Sequence, residues 1–307
     1  MEEVCIQRAE RRWKVHVDRG IDCSIGVTTK SPMQRAFALP AARAEWMYVC
    51  GRGGASVNVG TFMCSCHGAG THTECVGHIV PPRGDGDVIT LDECGVPLRA
   101  FTPAVLLSVD PRNLRASGER YNEFTDATSA SSTSMMSGDV VAMDAFKDDR
   151  VVTKAALIEA LDGMYQCNKE STTEFVNAMG GGAALCIRVL PNSDAKRRMD
   201  WSGAGAAYVT SDAAEWIVAS GFHHLLIDLP SVDREDDGGK LVAHKTLLRC
   251  DETSTSGPTP HTITELCFFP DDSAPDGMYM LNLHVPNVDM DAAPSRPILY
   301  PIEDCSC

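Results

Sequence analysis

The chain has 307 residues, 44% of them apolar and 22% charged, which is the balance of a globular protein with room for one large domain or two ordinary ones. Its net charge of −15 repels phosphate backbones and argues against a nucleic-acid partner. No run reaches the roughly 18–20 apolar residues that cross a bilayer, and the start, with Glu2, Glu3 and Glu10 among its first residues, lacks the apolar core of an export signal. A cytoplasmic location is therefore expected, with no membrane partner, and the thirteen cysteines read as reduced thiols rather than a disulfide framework.

Residues 1–12 read as a charged extension with little to bury. The alternation in Trp13-Lys-Val-His-Val predicts a half-buried strand, and 22–29 a second one. Ser31-Pro32 opens a loop, and 40–46 is ambiguous. Alternation returns over 56–64 and leads into the densest ligand cluster of the chain, Cys66-His-Gly-Ala-Gly-Thr-His-Thr-Glu-Cys-Val-Gly-His78. His67, His72, Glu74 and His78 offer the imidazole and carboxylate donors of a catalytic zinc, manganese or iron site. His72, Glu74 and His78 share a face if this piece is extended, and Gly68 and Gly70 let the backbone bend to bring His67 to the same point. One segment rarely closes a site, so further ligands are expected from elsewhere. Cys64 and Cys66 at strand spacing read as small packing residues rather than ligands.

After a turn cluster at 80–87, short strands are expected at 88–91 and 104–109. Residues 112–138 are polar and end in a near low-complexity run, read as a surface loop. From 152 the pattern changes. Apolar residues at 157, 158, 161 and 164 form a helical stripe, and 183–190 reads as a buried strand. Thr210 supplies an N-cap for a helix through Ala219 that Gly221 stops, and 222–229 is a further strand. This alternation implies some parallel pairing, so the fold class is α/β with a mixed sheet in a single domain over 1–307. Beyond Leu229 come Ser231, Asp233 and His244, where an α/β fold gathers site residues. Glu265 lies within an apolar strand pattern, and either faces solvent or is buried with a partner such as a metal. His284 and the pair His223-His224 read as structural or surface residues, and the tryptophans at 13, 46, 201 and 216 as core residues or as the lining of an aromatic pocket.

Taken together, these motifs resemble the cyclase family of metal-dependent hydrolases, which includes bacterial-type kynurenine formamidases and isatin hydrolases. Gly70-Thr71-His72-x-Glu74-x-Val76-x-His78 is similar to its first signature, with Glu74 standing for aspartate, Val76 for proline, and one extra residue after His67. Asp228-Leu-Pro230-Ser231-Val-Asp233 matches its second, and the likeness runs weakly from about Asp22 to Tyr300. The resemblance implies the family's swivelling β/β/α type of fold. It also implies that His67, His72 and Glu74 hold one ion, and that Glu74 bridges to a second ion held by His244 and Glu265. His78 becomes the general acid/base, and Ser231 and Asp233 support the ligands from behind. The implied activity is metal-dependent hydrolysis of a non-peptide amide, with two zinc or manganese ions as cofactors. N-formyl-L-kynurenine, an intermediate of tryptophan catabolism, is the first substrate expected (an arylformamidase reaction). A cyclic amide or lactone is the alternative, as is a metal-binding homologue without turnover or a purely structural module. No residue has the setting of an activated nucleophile, so acyl-enzyme chemistry is not expected. The partners expected are the small-molecule amide and further copies of the chain, as a dimer or tetramer.

Overall fold

Aliphatic runs with no polar alternation belong in strands buried on both faces, and three of them lie side by side here. The computed structural model describes residues 3–8, 11–96, 100–121, 146, 148–167, 182–250 and 257–305. In chain order its strands are β1 (Glu3–Arg8), β2 (Arg11–His16), β3 (Ile21–Asp22), β4 (Arg43–Tyr48), β5 (Val59–Met63), β6 (His72–Glu74), β7 (Thr102–Val109) and β8 (Arg112–Asn113). They continue as β9 (Arg150–Val152), β10 (Ala183–Val189), β11 (Tyr208–Val209), β12 (Phe222–Ile227), β13 (Thr262–Glu265), β14 (Gly277–His284), β15 (Ala292–Pro294) and β16 (Arg296–Asp304). The helices are α1 (Leu114–Ser117), α2 (Lys154–Cys167), α3 (Ser211–Ala219) and α4 (Val242–Leu247).

Among the described residues, one eleven-stranded sheet runs in the order β1-β2-β16-β14-β7-β10-β12-β13-β6-β15, with β3 paired to β16. Its centre, β7-β10-β12-β13, is parallel, and both flanks are antiparallel. This is the mixed α/β sheet expected from the helix–strand alternation. Successive residues of the central strands serve opposite cores, as the strand period demands. Val105, Leu107, Leu185, Ile187 and Ile227 join Leu157 of α2 and Ile217 of α3 in one core. Ala104, Leu106, Cys186 and Leu226 face a second core with Phe269 and Leu281. The hydroxyl of Thr210 accepts from the Ala213 amide and caps α3, and Gly221 leaves it at φ +85°.

Four expectations need correction. The charged extension is not a bare tail, since residues 3–8 pair antiparallel with β2. The strand expected at 22–29 stops at Asp22, whose carboxylate accepts from the Ser24 amide and hydroxyl and turns the chain out of the ladder. No strand forms at 88–91; the Thr90 amide donates to Glu93 and closes a turn instead. Residues 112–117 are ordered as β8 and α1, with Asn113 as N-cap and Gly118 at φ +68° ending the helix, while 122–138 lies outside the described residues. Trp13 and Trp201 are core residues, whereas Trp46 is 64% exposed. No described helix is long and apolar enough to cross a membrane.

Candidate metal centre

The site forms where β6 is inserted between β13 and β15. Register places His72 opposite Glu265, and Thr73 opposite Thr264 and Ala293. Side chains alternate along a strand, so His72 and Glu74 share the Glu265 face while Thr73 turns away. The Thr73 hydroxyl meets Thr264 Oγ1 at 2.8 Å and donates to Ser295 Oγ at 2.9 Å, which pins the register from behind. Gly70 allows the entry. At φ +76° a side chain there is strained, and its Cβ would lie 2.6 Å from the Ile25 carbonyl. The strand ends at Glu74, so His78 reaches the site not by strand alternation but on a turn over Val76–His78. His67 arrives on a similar turn over Cys66–Gly68.

The inner residues are fully enclosed. His72 Nδ1 is 3.2 Å from the Gly70 carbonyl, an oxygen that can only accept, so Nδ1 carries a proton and Nε2 is the nitrogen left to bind an ion. That Nε2 is buried with no hydrogen-bond partner, 3.5 Å from Glu265 Oε2. Glu265 is buried, and its Oε1 accepts from the Val232 amide at 2.9 Å, so the solvent-facing reading fails. Glu74 stands at the centre. Its Oε1 lies 2.9 Å from His244 Nε2 without hydrogen-bond geometry, and its Oε2 lies 3.1 Å from His67 Nδ1 and 3.9 Å from His78 Nε2. Burial opposes the charge on Glu74, but His244, His67 and His78 outweigh it and hold the carboxyl well below its ordinary range.

His244 is set by Asp233. One carboxylate oxygen accepts from His244 Nδ1 at 2.7 Å and from the His244 amide at 2.9 Å; the other accepts from the Ala243 amide at 2.8 Å. Asp233 therefore both starts α4 and turns the Nε2 of His244 toward Glu74 and Glu265, the latter at 3.6 Å. Burial penalises the imidazolium, yet Glu74 and Asp233 raise the His244 pKa well above its usual value. Ser231 Oγ accepts from the Asp233 amide at 3.1 Å and shapes the same turn.

Asp291, which the reading of the sequence did not single out as a site residue, completes the outer rim. Its Oδ2 lies 3.1 Å from His67 Nε2 and 3.5 Å from His78 Nδ1. His67 and His78 stack at 4.0 Å, and both are partly open to solvent. Burial lowers the His67 pKa, but Asp291 and Glu74 overcome it and push it up to about 10. The only signal for Asp291 was its place at the head of the Asp-Ala-Ala-Pro-Ser-Arg-Pro run. That run forms β15 beside β6, and the Asp291 carbonyl accepts from the Cys75 amide.

All five residues expected as ligands, and His78, are thus brought together. The donor atoms of His67, Glu74 and His78 lie within 4.8 Å of one another, as do those of His72, Glu74 and Glu265, and Glu74 belongs to both groups. A buried imidazole nitrogen with no hydrogen-bond partner and a carboxylate shared between two donor sets suit a divalent ion. Cys66 stays outside this set: burial, Cys64 and Asp291 push its thiol up to about 11, so it remains protonated.

The sequence matches the Cyclase family over residues 21–234. No curated protein sequence matches it significantly. Among solved structures, a predicted metal-dependent hydrolase from Bacillus stearothermophilus is 16% identical, with 92% of this chain and 98% of that chain covered at a TM-score of 0.53. An isatin hydrolase bound to the product analogue thioisatinate is 12% identical, with 92% of each chain covered and a TM-score of 0.55. A novel cyclase is 11% identical, with 94% and 90% covered and a TM-score of 0.57. At these identities the likeness is one of fold.

Proposed function

This chain belongs to the Cyclase family, and from that membership we propose that it is a metal-dependent hydrolase of a non-peptide amide, with N-formyl-L-kynurenine as substrate and L-kynurenine and formate as products. The observation that carries the reading is the enclosed, unpartnered Nε2 of His72 facing the same space as Glu74 and Glu265. His67, His72 and Glu74 would hold one zinc or manganese ion, and His244 and Glu265 a second that shares Glu74. A bound divalent ion would supply Lewis acidity, which lowers the pKa of its water toward about 7 and polarises the scissile carbonyl.

The protein's own residues do the rest. The Gly70 carbonyl holds Nδ1 of His72 and Asp233 holds Nδ1 of His244, so in both rings Nε2 is the nitrogen that faces inward and would bind an ion once it carries no proton. Glu74 and Glu265 bring negative charge that offsets the ions. His78, on the open side and 3.5 Å from Asp291, would carry a proton from the attacking water to the departing amine. Asp291 Oδ2, 3.1 Å from His67 Nε2 and 3.5 Å from His78 Nδ1, steadies the His67–His78 stack. Cytoplasmic tryptophan catabolism is the setting this substrate implies.

A second reading is hydrolysis of a cyclic amide or lactone, favoured by the fold likeness to the isatin hydrolase. The test is release of formate from N-formyl-L-kynurenine by the purified chain with zinc or manganese, beside isatin and a lactone panel. Turnover of formylkynurenine that is lost in His72→Ala and Glu265→Ala supports the first reading. Turnover of isatin alone supports the second. Stoichiometric metal with no turnover of any of them points to a homologue that has lost catalysis, and full activity in both variants overturns the metal mechanism.

A further inference from the structure

We propose that Asp291 is a positioning residue: it turns the His67 ring so that Nδ1, rather than Nε2, is offered to an ion, and it sorts His67 as ligand from His78 as proton carrier. This deepens the hydrolase reading and rests on it. His67 and His78 stack with centroids 4.0 Å apart and planes at 24°. Both rings span the same two carboxylate oxygens, in opposite senses. His67 puts Nδ1 3.1 Å from Glu74 Oε2 and Nε2 3.1 Å from Asp291 Oδ2. His78 puts Nε2 3.9 Å from Glu74 Oε2 and Nδ1 3.5 Å from Asp291 Oδ2.

Glu74 does not choose between the two rings by itself. It stands within reach of both, and of His244, so its charge draws any of the three. The backbone does not orient the His67 ring either. His67 lies on the turn Cys66–Gly68, outside the β6 ladder that fixes His72 and Glu74. This is where the chain carries one residue more than the family's first signature. The turn itself is pinned, since the Gly68 carbonyl accepts from the Ala36 amide and a Cβ on Gly68 would lie 2.8 Å from Leu39 Cβ. The freedom that remains is rotation of the side chain. Half a turn about Cβ–Cγ exchanges Nδ1 with Cδ2 and Nε2 with Cε1, and both carboxylates then face C–H groups.

Asp291 is placed firmly enough to set that ring. Its carbonyl accepts from the Cys75 amide at 3.0 Å, and the next residue, Ala292, pairs with Glu74 in the β15–β6 register. One ladder thus holds both carboxylates that the ring spans. An ionised carboxylate accepts only from a nitrogen that carries hydrogen, so Asp291 keeps a proton on His67 Nε2 and leaves Nδ1 as the inward nitrogen. The rings of His72 and His244 are set the other way round, with Nδ1 held by the Gly70 carbonyl and by Asp233. His67, at the shorter pair of distances, takes the ligand place. His78, farther from both oxygens, is left to move protons.

The test uses the full chain loaded with zinc, read by chelator competition and by long-range proton–nitrogen correlation spectra of the histidine rings, with the His67 signals identified through His67→Gln. The wild type should show His67 bound through Nδ1 and protonated at Nε2. Asp291→Ala, with an unchanged circular dichroism spectrum, should bind zinc about 10–100-fold more weakly and lose that single ring pattern. Both contacts of Asp291 use one oxygen, so Asp291→Asn, which keeps an accepting oxygen, should recover most of the affinity and the Nδ1 pattern. Zinc affinity of Asp291→Ala within about twofold of the wild type overturns the proposal, as does an asparagine variant no tighter than the alanine one. If Asp291→Ala misfolds, the wild-type spectrum decides: binding through Nε2 of His67, or through His78 in its place, overturns the role of Asp291 and leaves the metal centre standing. A wild type that takes up no more zinc than His72→Ala overturns the hydrolase reading and this role with it.

Discussion

Asp233→Asn isolates the support of the site from the ligands themselves. The four donors that meet this carboxylate are the His244 ring, the His244 and Ala243 amides, and the Tyr121 hydroxyl at 3.2 Å. An asparagine can accept with one oxygen only, so whichever way it turns, its amide group faces two donors. Charge-assisted hydrogen bonds contribute about 1.5–3 kcal/mol each, and breaking a buried charged pair costs about 3–5 kcal/mol. A loss of about 4 kcal/mol is expected in the metal-free protein, lowering Tm by roughly 5–8 °C at this chain length. Freed from Asp233, the His244 ring can rotate or change tautomer. Zinc affinity should fall by about 10–100-fold, as for other partners of metal-binding imidazoles. The pH dependence has a fixed sign. Burial raises the Asp233 pKa, but its bonds to His244 outweigh this and lower it below the unfolded value. Its stabilisation is therefore present above about pH 4 and lost as pH falls through the folded pKa, so the wild-type advantage should shrink in acid. Thermal melts from pH 3 to 8 and a chelator competition measure both effects. Zinc affinity within twofold of the wild type would refute the positioning role of Asp233.

Further outcomes follow from neighbouring geometry. Thr73→Val strands the hydroxyls of Thr264 and Ser295 behind β6 and should cost about 1–3 kcal/mol in urea unfolding without changing which metals bind. Gly77→Ala would place a Cβ 1.8 Å from the Ile89 carbonyl, so the turn carrying His78 must shift; activity should drop by at least about tenfold while metal content is retained. His78→Asn should keep its metal and lose kcat by about 10²–10⁴-fold, read by steady-state kinetics. The His67 pKa near 10 in the metal-free protein means that its stabilising charge is complete below the unfolded value of about 6.5 and disappears as pH rises through 10. Metal uptake at pH 7 needs both His67 and His244 neutral, so titration calorimetry in two buffers should show release of about two protons, and about one fewer in His67→Gln.

The central strands were legible because burial on both faces leaves an apolar run without polar alternation, as over residues 183–187 of β10. The α3 caps were legible because Thr210 and Gly221 act through local backbone chemistry. The short pieces were not. Whether Asp22 continues a strand or closes a turn depends on its own carboxylate, and residues 88–91 on Glu93. In the site, His67, His72, Glu74 and His78 were visible as one cluster; His244, after a strand end, and Glu265, within an apolar strand, stood out singly, and only resemblance to a family joined them to that cluster. Asp291 was hidden because its meeting with His67 joins residues 224 apart, through a strand pairing that no local pattern encodes. Of the β4–β5 hairpin, the alternation over 56–64 revealed the second strand, while 40–46 was ambiguous because an exposed strand follows neither burial pattern.

The most direct measurement is anomalous diffraction at the zinc and manganese edges from crystals of the metal-loaded chain. The expected result is a peak within bonding distance of His72 Nε2 and Glu74, with a second near His244 and Glu265. Ions found only at other residues, with His72 Nε2 hydrogen-bonded to water or protein, would contradict the metal centre and the hydrolase reading with it.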